Sequence, residues 1–133
     1  KNNIISLMTE WNSKNKVVKR SINNDLGATM RLGSYPCYLK PTSLASKIYK
    51  KKLINERHRH RYEVNPLFRT SFEKSEMVFS GFSKDKKLLE IVENKNHKWF
   101  FAVQFHPELK SKPFKPHPIF PSFIKNSLDH KNG

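Results

Sequence analysis

The sequence has very little cysteine, few glycines and no long apolar run, and each shortage excludes a class of protein. Its 133 residues include one cysteine, Cys37, so no disulfide can form within the chain and a reducing compartment is expected. No apolar run reaches the roughly 18 residues of a membrane span, and the opening "KNNIISLMTEW" lacks the apolar centre of a signal peptide. These shortages predict a cytoplasmic protein that makes no membrane contact.

Acidic residues are also scarce, at 11 Asp and Glu against 26 Lys and Arg, which gives a formal net charge of +15. Clustered cations would indicate nucleic-acid binding, because they neutralise phosphates and release counterions. The lysines are instead scattered along the chain and asparagine is abundant, which is typical of a solvated, lysine-rich surface. This scatter argues against a nucleic-acid partner, but a basic nucleic-acid-binding module stays open as an alternative.

The chain is long enough for one domain, and no linker divides it. It does not begin with methionine, so we expect it to be a piece of a longer protein. Thr42 and Ser43 form an N-cap signal for a helix of two to three turns, and Pro121 fits the first turn of a final helix. We also predict a strand from 56 to 64, a short helix at 66–73, and an antiparallel meander with strands at 76–82, 88–92 and 99–105. The mixture indicates an α/β or α+β fold.

The stretch "QFHPE" places His106 and Glu108 two residues apart, around Pro107 and directly after an apolar run. A residue that precedes proline is driven toward extended geometry, in which residues i and i+2 point to the same side. A carboxylate beside a histidine fixes its tautomer and stabilises the imidazolium, as a general base requires. The alternative is a satisfied polar pair that closes a strand, and the spacing alone leaves both open.

In "HRHRYEVN", two histidines alternate with three arginines. In a strand this pattern places His58 and His60 on one face and Arg57, Arg59 and Arg61 on the other. Three interpretations stay open. The imidazoles could bind a metal, the guanidiniums could clamp a phosphate or carboxylate, or the segment could be an edge strand whose charges prevent aggregation.

Cys37, in "SYPCYLKP", is the one thiol and therefore a tempting nucleophile. It has no helix N-terminus directly after it and no adjacent base that would lower its pKa. We therefore predict that it is a small apolar side chain on a strand.

Four segments carry a family resemblance. "QFHPE" at 104–108 resembles the C-terminal triad motif of class I glutamine amidotransferases. "DLGATMRLG" at 25–33, "ERHRHRYEVN" at 56–65 and "HPELKSKPFKPHPIF" at 106–120 together resemble the CTP synthase family, and the likeness extends from about Ile4 to Leu128. The resemblance implies an α/β fold in which residues 1–133 form the C-terminal portion of a type 1 glutamine amidotransferase domain, an incomplete open mixed sheet with flanking helices.

The resemblance also implies a function and a set of site residues. CTP synthases are ligases of pyrimidine biosynthesis, in which a synthase domain uses ATP and Mg²⁺ to activate UTP and a glutaminase domain releases ammonia through a Cys-His-Glu triad. His106 and Glu108 match the histidine and glutamate of that triad, and Arg61 matches the arginine that contacts glutamine. Three further residues match positions linked to activation by GTP: Arg20, Thr29 and Arg31.

The chain departs from the family pattern at the nucleophile. The family's cysteine lies in a Gly-rich elbow, near "GxCxGxQ", upstream of the segment matched here, whereas Cys37 follows the "TMRLG" motif. We therefore expect the chain alone to be inactive and to hold no cofactor or metal. Its expected partners are glutamine, the upstream glutaminase half, the N-terminal synthase domain and the copies of a homotetramer. A degenerate amidotransferase relic that only holds an interface is the remaining alternative.

Overall fold

The computed structural model describes residues 3–7, 10–13, 16–19 and 30–133. Arg20 and Thr29, two of the predicted GTP-linked positions, lie outside the described residues. The described part of the chain contains three helices, α1 Leu44–Tyr49, α2 Arg69–Glu73 and α3 Ile119–Asn132, and two short 3₁₀ helices, Pro66–Phe68 and Pro107–Lys110. No helix in these ranges is long and apolar enough to cross a membrane.

Nine strands are described: β1 Ile5–Leu7, β2 Glu10–Ser13, β3 Lys16–Lys19, β4 Arg31–Leu39, β5 Leu53–His60, β6 Tyr62–Val64, β7 Met77–Phe82, β8 Leu89–Asn94 and β9 Phe101–Val103. Five of them form the main sheet, in the order β5-β4-β7-β8-β9. β1 pairs with β6, and β2 pairs with β3. The predicted meander is confirmed as β7-β8-β9, and every strand pair in the described ranges is antiparallel.

The longest ladder joins β4 to β5 and fixes which side chains of β5 face inward. It runs from Arg31 opposite His60 to Tyr38 opposite Leu53. Along β5 the even-numbered residues Ile54, Glu56 and His58 are buried, and the odd-numbered ones are exposed. The predicted alternation of "ERHRHR" is therefore confirmed, and it places imidazole rings inside and guanidinium groups outside.

The predicted strand from 56 to 64 is wrong in one respect, because it breaks at Arg61 into β5 and β6. β5 stays in the main sheet, whereas β6 leaves it to pair with β1. The alternating pattern continues through the break, which is why the sequence predicts a single strand. Arg61 therefore lies at a corner between two sheets.

Helix α1 begins where predicted. The Ser43 hydroxyl accepts a hydrogen bond from the backbone N–H of Ser46 at 3.1 Å, which is the expected N-cap contact. A second cap comes from the sheet, because the Glu93 carboxylate on β8 accepts bonds from the N–H groups of Leu44 and Ala45, at 2.9 and 2.8 Å. A carboxylate at this end of a helix also complements the helix dipole.

The apolar core lies between the main sheet and the helices. Cys37 and Ala45 are completely buried at its centre, and its other buried members are Leu39, Ile54, Ile91, Phe105 and Ile119. Pro121 falls in the first turn of α3, as predicted. Phe123 on the same helix stacks at an angle against Trp99, with 5.1 Å between ring centroids, so α3 packs across the end of the meander.

Candidate active site

His106 and Glu108 form a direct pair. The Nδ1 atom of His106 lies 2.7 Å from Oε1 of Glu108, and both side chains are partly exposed. The hydrogen bond from His106 lowers the pKa of the Glu108 carboxyl, so the carboxylate is the acceptor and Nδ1–H is the donor. In a neutral imidazole this tautomer leaves Nε2 bare, and a bare nitrogen is what a general base needs.

The backbone that carries this pair differs from the predicted one. Strand β9 ends at Val103, and Pro107 begins a 3₁₀ helix that contains Glu108. The prediction that extended chain places the two side chains on one side is therefore wrong in its mechanism. The short helix turns Glu108 back toward His106 and reaches the same pairing.

The segment around His106 is attached to β5. The N–H of His106 donates to the backbone carbonyl of Arg57 at 2.8 Å. The preceding residue, Phe105, is buried, and its ring meets the ring of His58 edge to face, with 5.9 Å between centroids. Arg61, the predicted glutamine contact, is half-buried just beyond the end of β5. The "FHPE" motif therefore lies against β5, the strand that carries most of the arginine-histidine motif.

Five ionisable residues, on the inward side of β5 and on the strands β4, β6 and β8, form a group that we call the buried charge cluster: Arg31, His58, His60, Glu63 and Glu90. Arg31 donates to Oε1 of Glu90 at 2.5 Å and to Oε1 of Glu63 at 3.3 Å. Burial acts to lower the pKa of Arg31, but the two carboxylates outweigh it and raise the pKa. Burial raises the pKa of Glu63 to about 7, although Arg31 opposes the change. Arg31, the third predicted GTP-linked residue, is buried in this cluster and only 2% exposed.

The two histidines of the cluster bond to each other. His58 Nδ1 and His60 Nε2 are 2.8 Å apart, and His60 Nδ1 lies 3.0 Å from the Tyr62 carbonyl oxygen. Burial, followed by the charge of Arg31, lowers the pKa of His58 to about 2 and that of His60 to about 4. Both rings are therefore neutral near pH 7, and they are held by the protein's own polar groups.

A second histidine–glutamate pair, His117 with Glu56, was not predicted from the sequence. Their Nε2 and Oε1 atoms are 3.0 Å apart, and Tyr49 and Lys110 surround them. Both residues are buried, so this pair anchors the segment after the 3₁₀ helix to β5. Its one sequence signal is the inward position of Glu56 in the alternating pattern of β5.

Cys37 lies on β4 with no exposed surface, as predicted. Burial raises the pKa of its thiol, and the negative charge of Glu90 adds to the effect. A thiol held in this way is protonated and out of contact with solvent, which are the opposite conditions from those a nucleophile needs. Within the described ranges, no group of three or more His, Cys, Asp or Glu side chains could hold a metal ion.

The family follows from comparison with known proteins. A family model described as glutamine amidotransferase class-I matches residues 7–126. The chain therefore belongs to the class-I glutamine amidotransferase family.

The more specific likeness is to CTP synthases. The chain is 60% identical over 128 residues to the CTP synthase of Pelagibacter ubique, a match that covers 96% of this chain and 24% of that protein. It is 54% identical over 126 residues to the CTP synthase of Rhodospirillum centenum, covering 95% and 23%. The chain thus spans about a quarter of the length of these relatives.

Among solved structures, the glutaminase domain of Trypanosoma brucei CTPS with bound acivicin is similar, with a TM-score of 0.74 and 37% identity. The match covers 80% of this chain and 43% of that one. These likenesses confirm the predicted resemblance and the α/β amidotransferase fold.

Proposed function

We propose that this chain supplies the histidine–glutamate half of the glutaminase site of a CTP synthase, which feeds ammonia to the ATP-dependent amination of UTP. The observation that carries the proposal is the 2.7 Å contact between His106 Nδ1 and Glu108, which leaves Nε2 bare for proton transfer. The 60% identity to a CTP synthase, rather than to an amidotransferase of another kind, supports the choice of the parent reaction.

His106 and Glu108 have successive roles in this mechanism. His106 Nε2 takes the proton of a cysteine thiol, and the thiolate attacks the amide carbon of glutamine. The imidazolium, stabilised by Glu108, gives its proton to the leaving nitrogen, so ammonia departs and a thioester remains. Water, activated by the same imidazole, then releases glutamate and restores the thiol. Cys37 is not that thiol, because it is buried in the sheet.

Arg61 is proposed to hold the carboxylate of glutamine by charge-assisted hydrogen bonds. The GTP-linked roles of Arg20, Thr29 and Arg31 stay predictions. The guanidinium of Arg31 already bonds two buried carboxylates, so we propose that any effect of GTP on it passes through the buried charge cluster. ATP with Mg²⁺ bound in a separate synthase segment, a homotetramer and a cytoplasmic location likewise stay predictions that follow from the family resemblance.

The test uses a chimera in which this chain replaces the matching segment of the Pelagibacter ubique CTP synthase. CTP formation from UTP and ATP is measured once with glutamine and once with an ammonium salt. We expect His106→Ala to lower the glutamine-driven rate by at least roughly 100-fold and to leave the ammonia-driven rate unchanged, because it acts only in proton transfer. Arg61→Ala should mainly raise the KM for glutamine, because it binds the ground state and the transition state alike.

Two controls complete this test. His130→Ala changes an exposed histidine on α3 and should alter neither rate. The chain alone, without the rest of the chimera, should release no ammonia from glutamine. An equal loss of both rates in His106→Ala would show that His106 is structural, and turnover by the chain alone that Cys37→Ala abolishes would show that Cys37 is a nucleophile.

A further inference from the structure

Three polar contacts in a row run through the two histidines of the buried charge cluster. The Tyr62 carbonyl oxygen meets His60 Nδ1 at 3.0 Å, and His60 Nε2 meets His58 Nδ1 at 2.8 Å. His58 Nε2 then faces Oε2 of Glu90 at 3.7 Å. Within the described part of the chain, His58 Nε2 and Glu90 Oε2 are both buried and have no hydrogen-bond partner.

These three contacts need three protons, which is one proton more than two neutral imidazole rings supply. A carbonyl or a carboxylate oxygen can only accept, so each of the three contacts requires one proton. Two neutral imidazoles carry two N–H groups, and the bonds to Tyr62 and between the rings use both of them. His58 Nε2 and Glu90 Oε2 then face each other as two acceptors with no proton between them, and burying two unpaired acceptors is unfavourable.

The charge balance gives the same answer. With both imidazoles neutral, Arg31 opposes the carboxylates of Glu63 and Glu90, and the cluster has a net charge of −1 away from water. A buried net charge is unfavourable, and one added proton removes it. Burial raises the pKa of Glu63 to about 7, so a proton on Glu63 would also remove the net charge, but only a proton between His58 Nε2 and Glu90 Oε2 pairs two acceptors that face each other.

His58 lies between this cluster and the candidate catalytic histidine. On one side its ring packs against Phe105, the residue before His106. The neighbouring carbonyl of Arg57 holds the N–H of His106. The charged or titratable groups that face it are Arg31 and Tyr35 from β4, His60 from β5, Glu90 from β8 and His106 after β9.

We propose that His58 Nε2 and Glu90 Oε2 share one proton, and that this link makes His58 a positioning residue for His106. The proton converts two opposed acceptors into a hydrogen bond and fixes the His58 ring. The ring in turn fixes Phe105 and the direction of the His106 side chain. The inference rests on the proposed function, because it concerns the placement of the general base.

The first test measures kinetics in the same chimera. Glu90→Leu removes the link, and His58→Phe removes it while keeping an aromatic ring against Phe105. Each should lower the glutamine-driven kcat roughly tenfold or more, with little change in the KM for glutamine or in the ammonia-driven rate, because small misplacements of a catalytic group are costly. Glu93→Gln is the matched control, since its carboxylate is on the same strand but caps α1 instead.

The conservative variant Glu90→Gln distinguishes positioning from general stabilisation. Its amide can donate N–H to His58 Nε2 and leaves the cluster neutral, so it should restore kcat to within about threefold of the parent. Equal impairment of Glu90→Gln and Glu90→Leu would overturn the inference.

A spectroscopic test does not depend on activity. In the chain labelled with ¹⁵N at histidine, both ring nitrogens of His58 should show hydrogen-bonded shifts near neutral pH, and Nε2 should revert to a bare acceptor in Glu90→Leu. A bare Nε2 in the parent chain would overturn the shared proton.

The kinetic results separate the two proposals. If His106→Ala keeps the glutamine-driven rate, the proposed function fails. If His106→Ala abolishes that rate while His58→Phe and Glu90→Leu are as active as the parent, only the positioning role of His58 fails.

Discussion

Two glycines of the main sheet are required for opposite reasons. Gly33 on β4 has φ of +106°, a conformation that L-residues rarely adopt, but a Cβ there would meet nothing within 4 Å. A Cβ on Gly81 would lie 2.5 Å from Cγ1 of Ile91 and 2.8 Å from Sγ of Cys37. Gly81 also lies where the register between β7 and β8 shifts. The first glycine is needed for its backbone and the second for its lack of volume.

We expect Gly81→Ala to lower the free energy of unfolding by about 1–3 kcal/mol through overpacking, and Gly33→Ala by about 1–2 kcal/mol through backbone strain. Combining each with Ile91→Ala separates the causes. Removal of the Ile91 side chain should relieve Gly81→Ala, with a coupling energy of at least about 0.5 kcal/mol, and should add independently to Gly33→Ala. Urea unfolding of the parent, the three single variants and the two double variants measures both cycles, and equal coupling in the two would contradict this account.

At the residue scale, the sequence predicted contacts that arise locally and missed those that arise across the sheet. His106 and Glu108 are two residues apart, and their pairing follows from local chain geometry. Glu90 is 59 positions from its partner Arg31, and neither carries a local signal that indicates the other. For a buried carboxylate on a strand, the sequence pattern indicates only that a polar residue occupies an inward position, and it does not indicate the partner.

At the scale of elements, β5 determines how the protein responds to acid. His58 and His60 have pKa values of about 2 and about 4 in the folded chain, against an ordinary value of 6.5. The unfolded chain therefore binds protons at these rings below about pH 6.5, whereas the folded chain does not. Their contribution to stability is present above that pH and is lost as the pH falls.

Glu63 acts in the opposite direction, because its pKa is raised from 4.5 to about 7 in the folded chain. Its contribution is present below about pH 4.5 and is lost as the pH rises toward 7. In the Glu90→Gln variant, where no proton is shared with His58, the two histidines outweigh Glu63, so the free energy of unfolding should fall as the pH is lowered from about 6.5 to about 5, with a net uptake of about one proton on unfolding. In the parent chain the folded state already binds the shared proton, so the fall should be smaller.

Urea unfolding at several pH values checks this prediction. His60→Gln should flatten the dependence, since it removes one of the two titrating rings. His130→Gln, at an exposed site on α3, should leave it unchanged. Stability that rises as the pH falls through this range would contradict the assignment of neutral rings.

Elements with complete local signals were predicted well. Helix α1 has its N-cap serine and the meander has its polar turns, so both follow from the sequence. The break at Arg61 was missed because β6 leaves the main sheet for β1, a partner more than 50 positions earlier in the chain. The second cap of α1 was missed for the same reason, since Glu93 reaches it from another strand.

At the scale of the whole molecule, much of the apolar surface of α3 is uncovered in the described chain. Phe120, Phe123, Ile124 and Leu128 are 37%, 49%, 55% and 52% exposed. Part of this surface lines a shallow groove of about 480 Å³ with Pro116 and Pro121. Contiguous apolar surface of this kind favours association.

We therefore expect the chain to self-associate as its concentration rises from about 10 to about 500 µM, measured by size-exclusion chromatography with light scattering. The net charge of +15 opposes association, so the effect should be stronger at about 0.15 M salt than at low salt. Ile124→Ser combined with Leu128→Ser should shift the chain toward monomer. Lys125→Ser combined with Lys131→Ser is the matched control, and an equal shift in both pairs would exclude the apolar surface as the cause.

The buried position of Cys37 allows the rate at which the main sheet opens to be measured by alkylation. Its thiol has no exposed surface and a raised pKa, so an alkylating reagent can reach it as a thiolate only after the middle of the sheet opens. Because the chain has a single cysteine, each opened molecule gains one tag of known mass. The rate at which tagged molecules accumulate therefore reports how often β4 separates from its neighbours, without any engineered label.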